Sequence, residues 1–491
     1  MATERNFITP ADMTILTTAN VVGNTVSTGM FANTQTAQTY PSLTINFAMN
    51  PRLDPRLTFF RSSNATYVAA NGMIAYANSN IARFEYDPVS GNCNGWLNEE
   101  GRTNYIPQSM YANSTNWGGY GVEGSGIINT AYDIAANAAI SPDGTNNASF
   151  LYWKSAPNPN YSWQVTYPLQ TNMVSGATYT QSIFVKPGPV ADSAFYMGHY
   201  DTTDSGENLQ VYYYPANNTI TGAVYSANVM FTTPPAMQDY PNGWKRLYFS
   251  YRYLTGSSHG VQFKHSLNGP VTQANVGRQG FYIWGAQVEQ GPYVTSYIPT
   301  YGATASRASE AMYMYDIGNL LGPKTTTIFA KFASTGYMGN TALTNDRRWH
   351  SVWQMYTSYV PETSVRNDGT AERIGLAFLN YDTAYMGTTY MYWVTYANNV
   401  GTTSYNGFVP NTSINYNQYI STANFITAGT RIESNNWVMY ASNASYYTAG
   451  SNVSPILSTL RLGTDMNGYI KTFTIFPRDL PTVVAQNMTA V

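Results

Sequence analysis

The sequence predicts an all-β chain: two antiparallel β-sandwich bodies of jelly-roll type, preceded by an extended N-terminal arm and a small β-rich linking module. Three observations predict it. Apolar and polar residues alternate with period two in several separate stretches, which sends one face of a strand inward and the other outward. No long helical periodicity interrupts these stretches, so crossover helices are not there to cover a parallel sheet and the apolar faces must close on another sheet. Composition agrees: charged residues are 10% of the chain while aromatics are 15%, with 43 tyrosines, a balance that favours strands over helices.

Taken in order, Thr9-Pro10-Ala11-Asp12 carries a capping residue, a proline at the first helical position and an early acid, which predicts a short helix to about Leu16. Thr17 to Thr44 is polar, small and low in charge, fitting either an arm that orders against a partner or a loosely packed first strand. The arm is expected to span residues 1–47, and its removal before Phe47 to leave a folded body. Turn signals at Asn71-Gly72, Pro142-Asp143-Gly144, Asn242-Gly243 and Asn467-Gly468 then divide the strands. Tyr282, Trp284, Ala286 and Val288 are expected on one face of a strand, opposite Gln287 and Glu289. Tyr179, Ile183 and Val185 should oppose Thr180 and Ser182, and Tyr469, Phe473 and Ile475 should oppose Thr472 and Thr474. A length of 491 residues calls for two to four domains. A Pro/Gly-containing connection from Gly291 to Ser309 places a boundary close to Arg307. The expected units are the arm (1–47), a linking module (48–115), one sandwich (116–307) and a second (308–491).

Composition also excludes. A formal charge of -2 without a Lys/Arg cluster argues against nucleic acid as a partner. No apolar run has the length of a membrane span, and no secretory signal is visible at the amino end. Cys93 is the single cysteine, so no intrachain disulfide is expected and a reducing site of folding fits. The Asn-x-Ser/Thr triplets at Asn64, Asn113 and Asn443 are what a chain rich in these residues produces by chance.

Four pieces in fixed order carry a resemblance: Leu57 to Val68, Asn71-Gly72, Asn80 to Pro88, and Gly95 to Asn104. Together they resemble a module of phage head-fibre and tail-fibre proteins. Tyr179 to Pro187, Gly243-Trp244-Lys245-Arg246, Trp284 to Glu289 and Thr295 to Thr300 are similar to a carbohydrate-binding-module jelly roll, and Gly468 to Arg478 is similar to concanavalin A or laminin-G-like sandwiches. The resemblance implies a virion protein, assembled in the host cytoplasm: a fibre, spike or decoration subunit that presents glycan-binding surfaces. Its implied partners are other virion proteins, reached through the arm, and host surface polysaccharide; because contacts from isolated sandwiches are weak and several copies raise avidity, self-association as a closed homotrimer is expected. It carries no catalytic residue onto this chain, and Pro481-Thr482-Val483-Val484 stands where the family has a trailing acidic helix. The alternatives are a decoration or vertex protein with purely structural contacts, and a tailspike depolymerase.

Chemistry-bearing motifs are few, and neither an enzyme activity nor a cofactor is expected. Gly119-Tyr120-Gly121-Val122-Glu123-Gly124 satisfies G-x-G-x-x-G, but without a βαβ unit it reads as a glycine-rich loop. His199, His259, His265 and His350 have no zinc spacing, and a structural calcium, which needs only oxygen ligands, stays open. The adjacent Glu99 and Glu100 are expected to pair with Arg83 or Arg102 rather than to flank a glycosidic bond. Asp201 and Asp204 read as turn residues. For sugar binding, which needs a flat aromatic face beside planar polar groups, the candidates are Asp346, Arg348, Trp349, His350 and Trp353, and then Asn435, Asn436 and Trp437. Each tryptophan is set against the alternative that it belongs to a core.

Overall fold

The computed structural model describes residues 40–110, 112, 117, 132–153, 165–166, 174–190, 194–201, 206–254, 259–266, 273–334, 349–356, 373–380, 389–396, 405–408, 426–433, 436–441, 444–449, 457–464 and 466–489. The chain is all-β, with several antiparallel sheets. The expected helix near Leu16 and the glycine-rich loop at Gly119 lie outside the described residues.

Four of the sheets pair into two sandwiches. In the first, an eight-stranded sheet runs Ala444–Ala449, Asn436–Ala441, Ile426–Glu433, Thr325–Ser334, Gly468–Phe476, Cys93–Asn98 and Phe84–Tyr86, with Leu43–Asn46 also on Gly468–Phe476. Its partner is a seven-stranded sheet of Leu57–Phe60, Ala311–Tyr315, Thr459–Thr464, Trp349–Tyr356, Arg373–Asn380, Thr389–Tyr396 and Tyr405–Phe408. Leu43, Ile45, Phe47, Trp96, Ile328 and Phe473 from one side meet Phe59, Met312, Trp353, Leu460 and Leu462 from the other in one core. We call this the terminal sandwich, because both ends of the described chain contribute to it.

The second sandwich is inserted within the first. A six-stranded sheet (Val229–Asp239, Lys245–Tyr253, Thr178–Pro187, Gly280–Gln290, Ala148–Trp153, Tyr132–Ala139) covers a five-stranded one (Val165–Thr166, His259–Ser266, Ala194–Asp201, Gly206–Tyr214, Thr219–Val224). Tyr179, Ile183, Val185, Leu247, Phe249, Ile283 and Val288 pack there against Phe195, Met197, Leu209, Val211 and Tyr213. The chain enters and leaves side by side, for Arg102–Asn104 on the way in pairs antiparallel with Ala305–Arg307 on the way out.

This arrangement corrects two expected boundaries. Residues 48–115 do not form a separate module: Leu57–Phe60 pairs with Ala311–Tyr315 and Cys93–Asn98 with Gly468–Phe476, because the apolar faces of these short strands need the later sheets to bury them. Besides Arg102–Asn104, which pairs with Ala305–Arg307, the hairpin Ala65–Val68 and Ile74–Ala77, turned at Asn71-Gly72, stands apart from the large sheets, and its Val68 and Ile74 pack with Phe184, Trp244, Trp284 and Tyr297 of the inserted sandwich and its exit. Nor does an arm extend to residue 47, since Leu43–Asn46 is a paired strand whose Leu43 and Ile45, with Phe47, are core residues.

The expected faces hold for Thr178–Pro187, where Tyr179, Ile183 and Val185 share a core. They fail elsewhere for one physical reason, a bulge, which inserts a residue and reverses inside and outside beyond it. In Gly280–Gln290 the register on the neighbouring strand shifts between Ser182 and Phe184, at Gly285, whose φ is +63°. Consequently Phe281, Ile283, Ala286 and Val288 face the sandwich core while Trp284 turns to Phe184 and Tyr297. In Gly468–Phe476 the register shifts opposite Lys331 and Phe332, so Ile470, not Tyr469, joins Phe473 and Ile475 in the core. After Pro481 a short helix, α1 (Thr482–Asn487), buries Ala485 beside Phe329, Phe476 and Leu480.

Candidate functional site

Two places concentrate polar chemistry. The first is the joint where the chain crosses between sandwiches. Arg61 directly follows the strand Leu57–Phe60 of the terminal sandwich, Glu310 directly precedes its neighbour Ala311–Tyr315, and Arg307 and Ser296 lie on the exit crossing. The Glu310 carboxylate accepts from Arg61 Nη1 at 2.7 Å and from Arg83 Nε at 2.9 Å, all three side chains being fully buried. Arg83 Nη2 also donates to Glu99 at 2.8 Å, and Arg307 Nη1 lies 3.2 Å from the same carboxylate. Ser296 adds its backbone N–H and its hydroxyl to Glu99, each at 2.7 Å.

Beside this group Arg102 pairs with Glu100, which also accepts from the Tyr293 hydroxyl, and Arg102 Nε is 3.8 Å from Glu289 of the inserted sandwich. Thr295 holds Glu289 through its N–H at 2.8 Å and its hydroxyl at 2.6 Å. Arg61, Arg83, Arg102 and Arg307 thus face Glu99, Glu100, Glu289 and Glu310, a balanced set taken from both sandwiches.

Electrostatics follow from that packing. Burial works to raise the Glu99 carboxyl, but Arg307, Arg83 and the Ser296 donors outweigh it and hold the group down to about 2. Glu85 is pushed up to about 7 by burial and then by the Glu99 charge, which Arg83 only partly offsets. Its contacts are long, 3.4 Å both to the Val68 N–H and to the Tyr469 hydroxyl. Although Glu99 and Glu100 are neighbours, they serve different groups of partners. Glu99 and Glu310 are bridged by Arg83 and closed to solvent, so they do not form a cleft in which two acids flank a sugar bond.

The second place is the outer face of the five-stranded sheet. In Ala194–Asp201 and Gly206–Tyr214, the residues Phe195, Met197, Leu209, Val211 and Tyr213 point into the core. Alternation therefore puts Tyr196, Gly198, Gln210, Tyr212 and Tyr214 on the other side. Tyr212 and Tyr214 stack with centroids 6.1 Å apart at 23°, and Tyr196 meets Tyr212 edge-on at 5.1 Å. Gly198 is what lets Tyr196 lie along the sheet, since a Cβ there would stand 2.0 Å from the tyrosine oxygen. The Tyr212 hydroxyl donates to Gln210 Oε1 at 2.9 Å, and exposed Thr219 and Thr221 stand opposite Tyr214 and Tyr212 on the edge strand. Burial, then neighbouring tyrosines, raises the hydroxyls of Tyr196 and Tyr212 above their ordinary range, so both stay neutral.

The residues expected to bind sugar are not assembled by the described structure. Asp346, Arg348 and Asn435 lie outside the described residues, as do the side chains of Trp349, His350, Asn436 and Trp437. Trp353 is 1% exposed in the terminal core, edge-on to Phe473 at 6.3 Å, so it offers no face to a ligand. Burial of a large aromatic in a sandwich explains this correction. The tyrosine face was open to sequence reasoning: three consecutive tyrosines, Tyr212-Tyr213-Tyr214, on a period-two strand must put two of them on the same side.

Among the described residues no three His, Cys, Asp or Glu side chains converge on a metal position, and no helix is long and apolar enough to cross a membrane. No protein-family model matches the chain, and no curated protein is significantly similar to it.

Proposed function

We propose that this chain is a non-enzymatic structural and attachment protein of a phage virion, whose inserted sandwich presents a glycan-binding face. The observation that carries the reading is the pair of half-buried rings Tyr212 and Tyr214, backed by the buried Tyr196. The partly exposed Tyr212 and Tyr214 rings offer apolar surface to the C–H side of a pyranose, while the Gln210 amide and the threonine hydroxyls of the edge strand stand beside them for sugar hydroxyls. The ionic joint fits the same role, because a subunit projecting from a particle must hold its binding body in a set direction. Copies assembled as a trimer multiply weak single-site contacts through avidity, and the residues before Leu43 supply the link to other virion proteins.

A glycan array probed with the full chain tests the reading. Binding to host polysaccharide that falls about ten-fold in Tyr212→Ala, with unchanged thermal unfolding, is the expected result. Equal binding by Tyr212→Ala and Tyr214→Ala would remove the tyrosine face from the proposal, and release of reducing ends from the polysaccharide would replace attachment with hydrolysis.

A further inference from the structure

Where Leu57–Phe60 ends and the exit crossing returns to the terminal sandwich, a cleft of 430 Å³ opens, bounded by Phe60, Ser62, Asn80, Ala308, Ser309 and Tyr313, with Arg61 at its base. We infer that this cleft is a second, separate pocket for a single uncharged pyranose unit. The inference rests on the glycan-binding reading above and assigns it an additional site.

The volume lies within the roughly 300–1,000 Å³ of small-molecule pockets. Its apolar wall is fixed in place: Phe59 is buried in the terminal core, so Phe60 must face outward, where it is 39% exposed and held edge-on to Tyr313 at 6.0 Å. Its polar wall is also fixed. Asn80 adopts a left-handed backbone, φ +58°, its N–H donates to the Arg61 carbonyl at 2.8 Å, and its Oδ1 accepts the Arg61 N–H at 3.0 Å. That double clamp orients the amide and leaves Nδ2 as the donor with no partner among the described residues. The hydroxyls of Ser62 and Ser309, both exposed, likewise have no described protein partner.

The guanidinium at the base of the cleft is largely committed, and that of Arg461 lies over the Tyr313 ring at 5.4 Å. Arg61 Nη1 serves Glu310 at 2.7 Å, Nη2 serves the Asn78 and Ala77 carbonyls at 2.7 and 3.3 Å, and Nε serves the Ser63 carbonyl at 2.8 Å. Four of the five Arg61 guanidinium N–H groups are thereby engaged by protein acceptors, so the cleft suits a ligand that stacks one apolar face and exchanges hydrogen bonds through neutral hydroxyls. That description is a neutral sugar ring.

The test is saturation-transfer NMR on the full chain with the methyl glycosides of glucose, galactose, mannose and rhamnose, and with galacturonate, at millimolar concentration. At least one neutral glycoside should give a signal that persists in a Tyr212→Ala/Tyr214→Ala variant. The signal should fall about ten-fold in Phe60→Ala, in Asn80→Asp, which keeps the Oδ acceptor and removes the donor, and in Ser62→Trp, which fills the cleft from an exposed position. Three substitutions of different character guard against one that misfolds, and thermal unfolding of each variant is compared with the parent. The pocket is overturned by the absence of any neutral-glycoside signal in the parent chain, by a signal that all three cleft variants leave intact, or by preferential binding of galacturonate. Loss in the tyrosine double variant alone would overturn this pocket and leave the sheet-face site standing.

Discussion

Glu99 and Glu85 belong to one cluster of charges yet titrate in opposite directions. Glu99 is held at about 2, below the 4.5 of a free glutamate, so its contribution to stability is present above pH 4.5 and is lost as pH falls toward 2. Glu85, raised to about 7, does the reverse: the folded state keeps its full stability below pH 4.5 and loses this part as pH rises through 7. Replacing Glu85 with Gln is therefore expected to stabilise the protein above neutrality by on the order of 2 kcal/mol and to leave it unchanged at pH 4. Urea unfolding across that pH range measures it, and equal effects at both ends would show that Glu85 is solvated. Glu310 has a plainer role, since it alone accepts from both Arg61 and Arg83 in a fully buried position. Glu310→Gln leaves two buried guanidinium groups short of a counter-charge, with an expected loss of about 3–5 kcal/mol. A loss below about 1 kcal/mol in the same measurement would mean that water reaches the joint.

The strands were legible element by element wherever their alternation is unbroken, as in Tyr179, Ile183 and Val185. They were misread where a bulge intervenes, because an inserted residue changes the phase of the pattern without changing its composition. Gly285 is the clearer case. Its φ of +63° suits glycine, and a Cβ there would come within 3.0 Å of Phe184 and 3.4 Å of Tyr297. Gly285→Val is expected to lower stability by about 1–3 kcal/mol through backbone strain and crowding, measured as a fall in the urea midpoint with an unchanged slope. Retention of the parental midpoint would show that the bulge moves aside freely. The ionic joint was half legible for a different reason. Arg83 and Glu99, 16 residues apart, fall within one stretch of sequence, but Arg61 and Glu310 are 249 residues apart, and nothing local in either points to the other. The tyrosine face is harder to read from the sequence, because tryptophan beside charge is the stronger signal of a sugar site and the chain places tyrosine beside threonine and amide.

For the molecule as a whole, the insertion of one sandwich within another determines which truncations are tolerated. A truncation that stops before Leu43 keeps the strand Leu43–Asn46 on Gly468–Phe476 and serves as the reference for a longer one. Removal through Asn46 strips the strand that pairs with Gly468–Phe476 and takes Leu43 and Ile45 out of the core. Burial of two such side chains stabilises by roughly 1.5–3 kcal/mol each, so the shorter chain should unfold several degrees earlier in calorimetry. Identical transitions for the two truncations would show that the strand adds nothing to the body.

The hydrogen bonds from Ser42 to Ile475 join residues 433 positions apart. Closing that contact demands that the residues up to Ile475 have left the ribosome, whereas the inserted body can collapse as soon as its own stretch has emerged. The terminal body is thus completed after the inserted one, and any partner that recognises its finished surface meets only chains whose synthesis has passed Phe476.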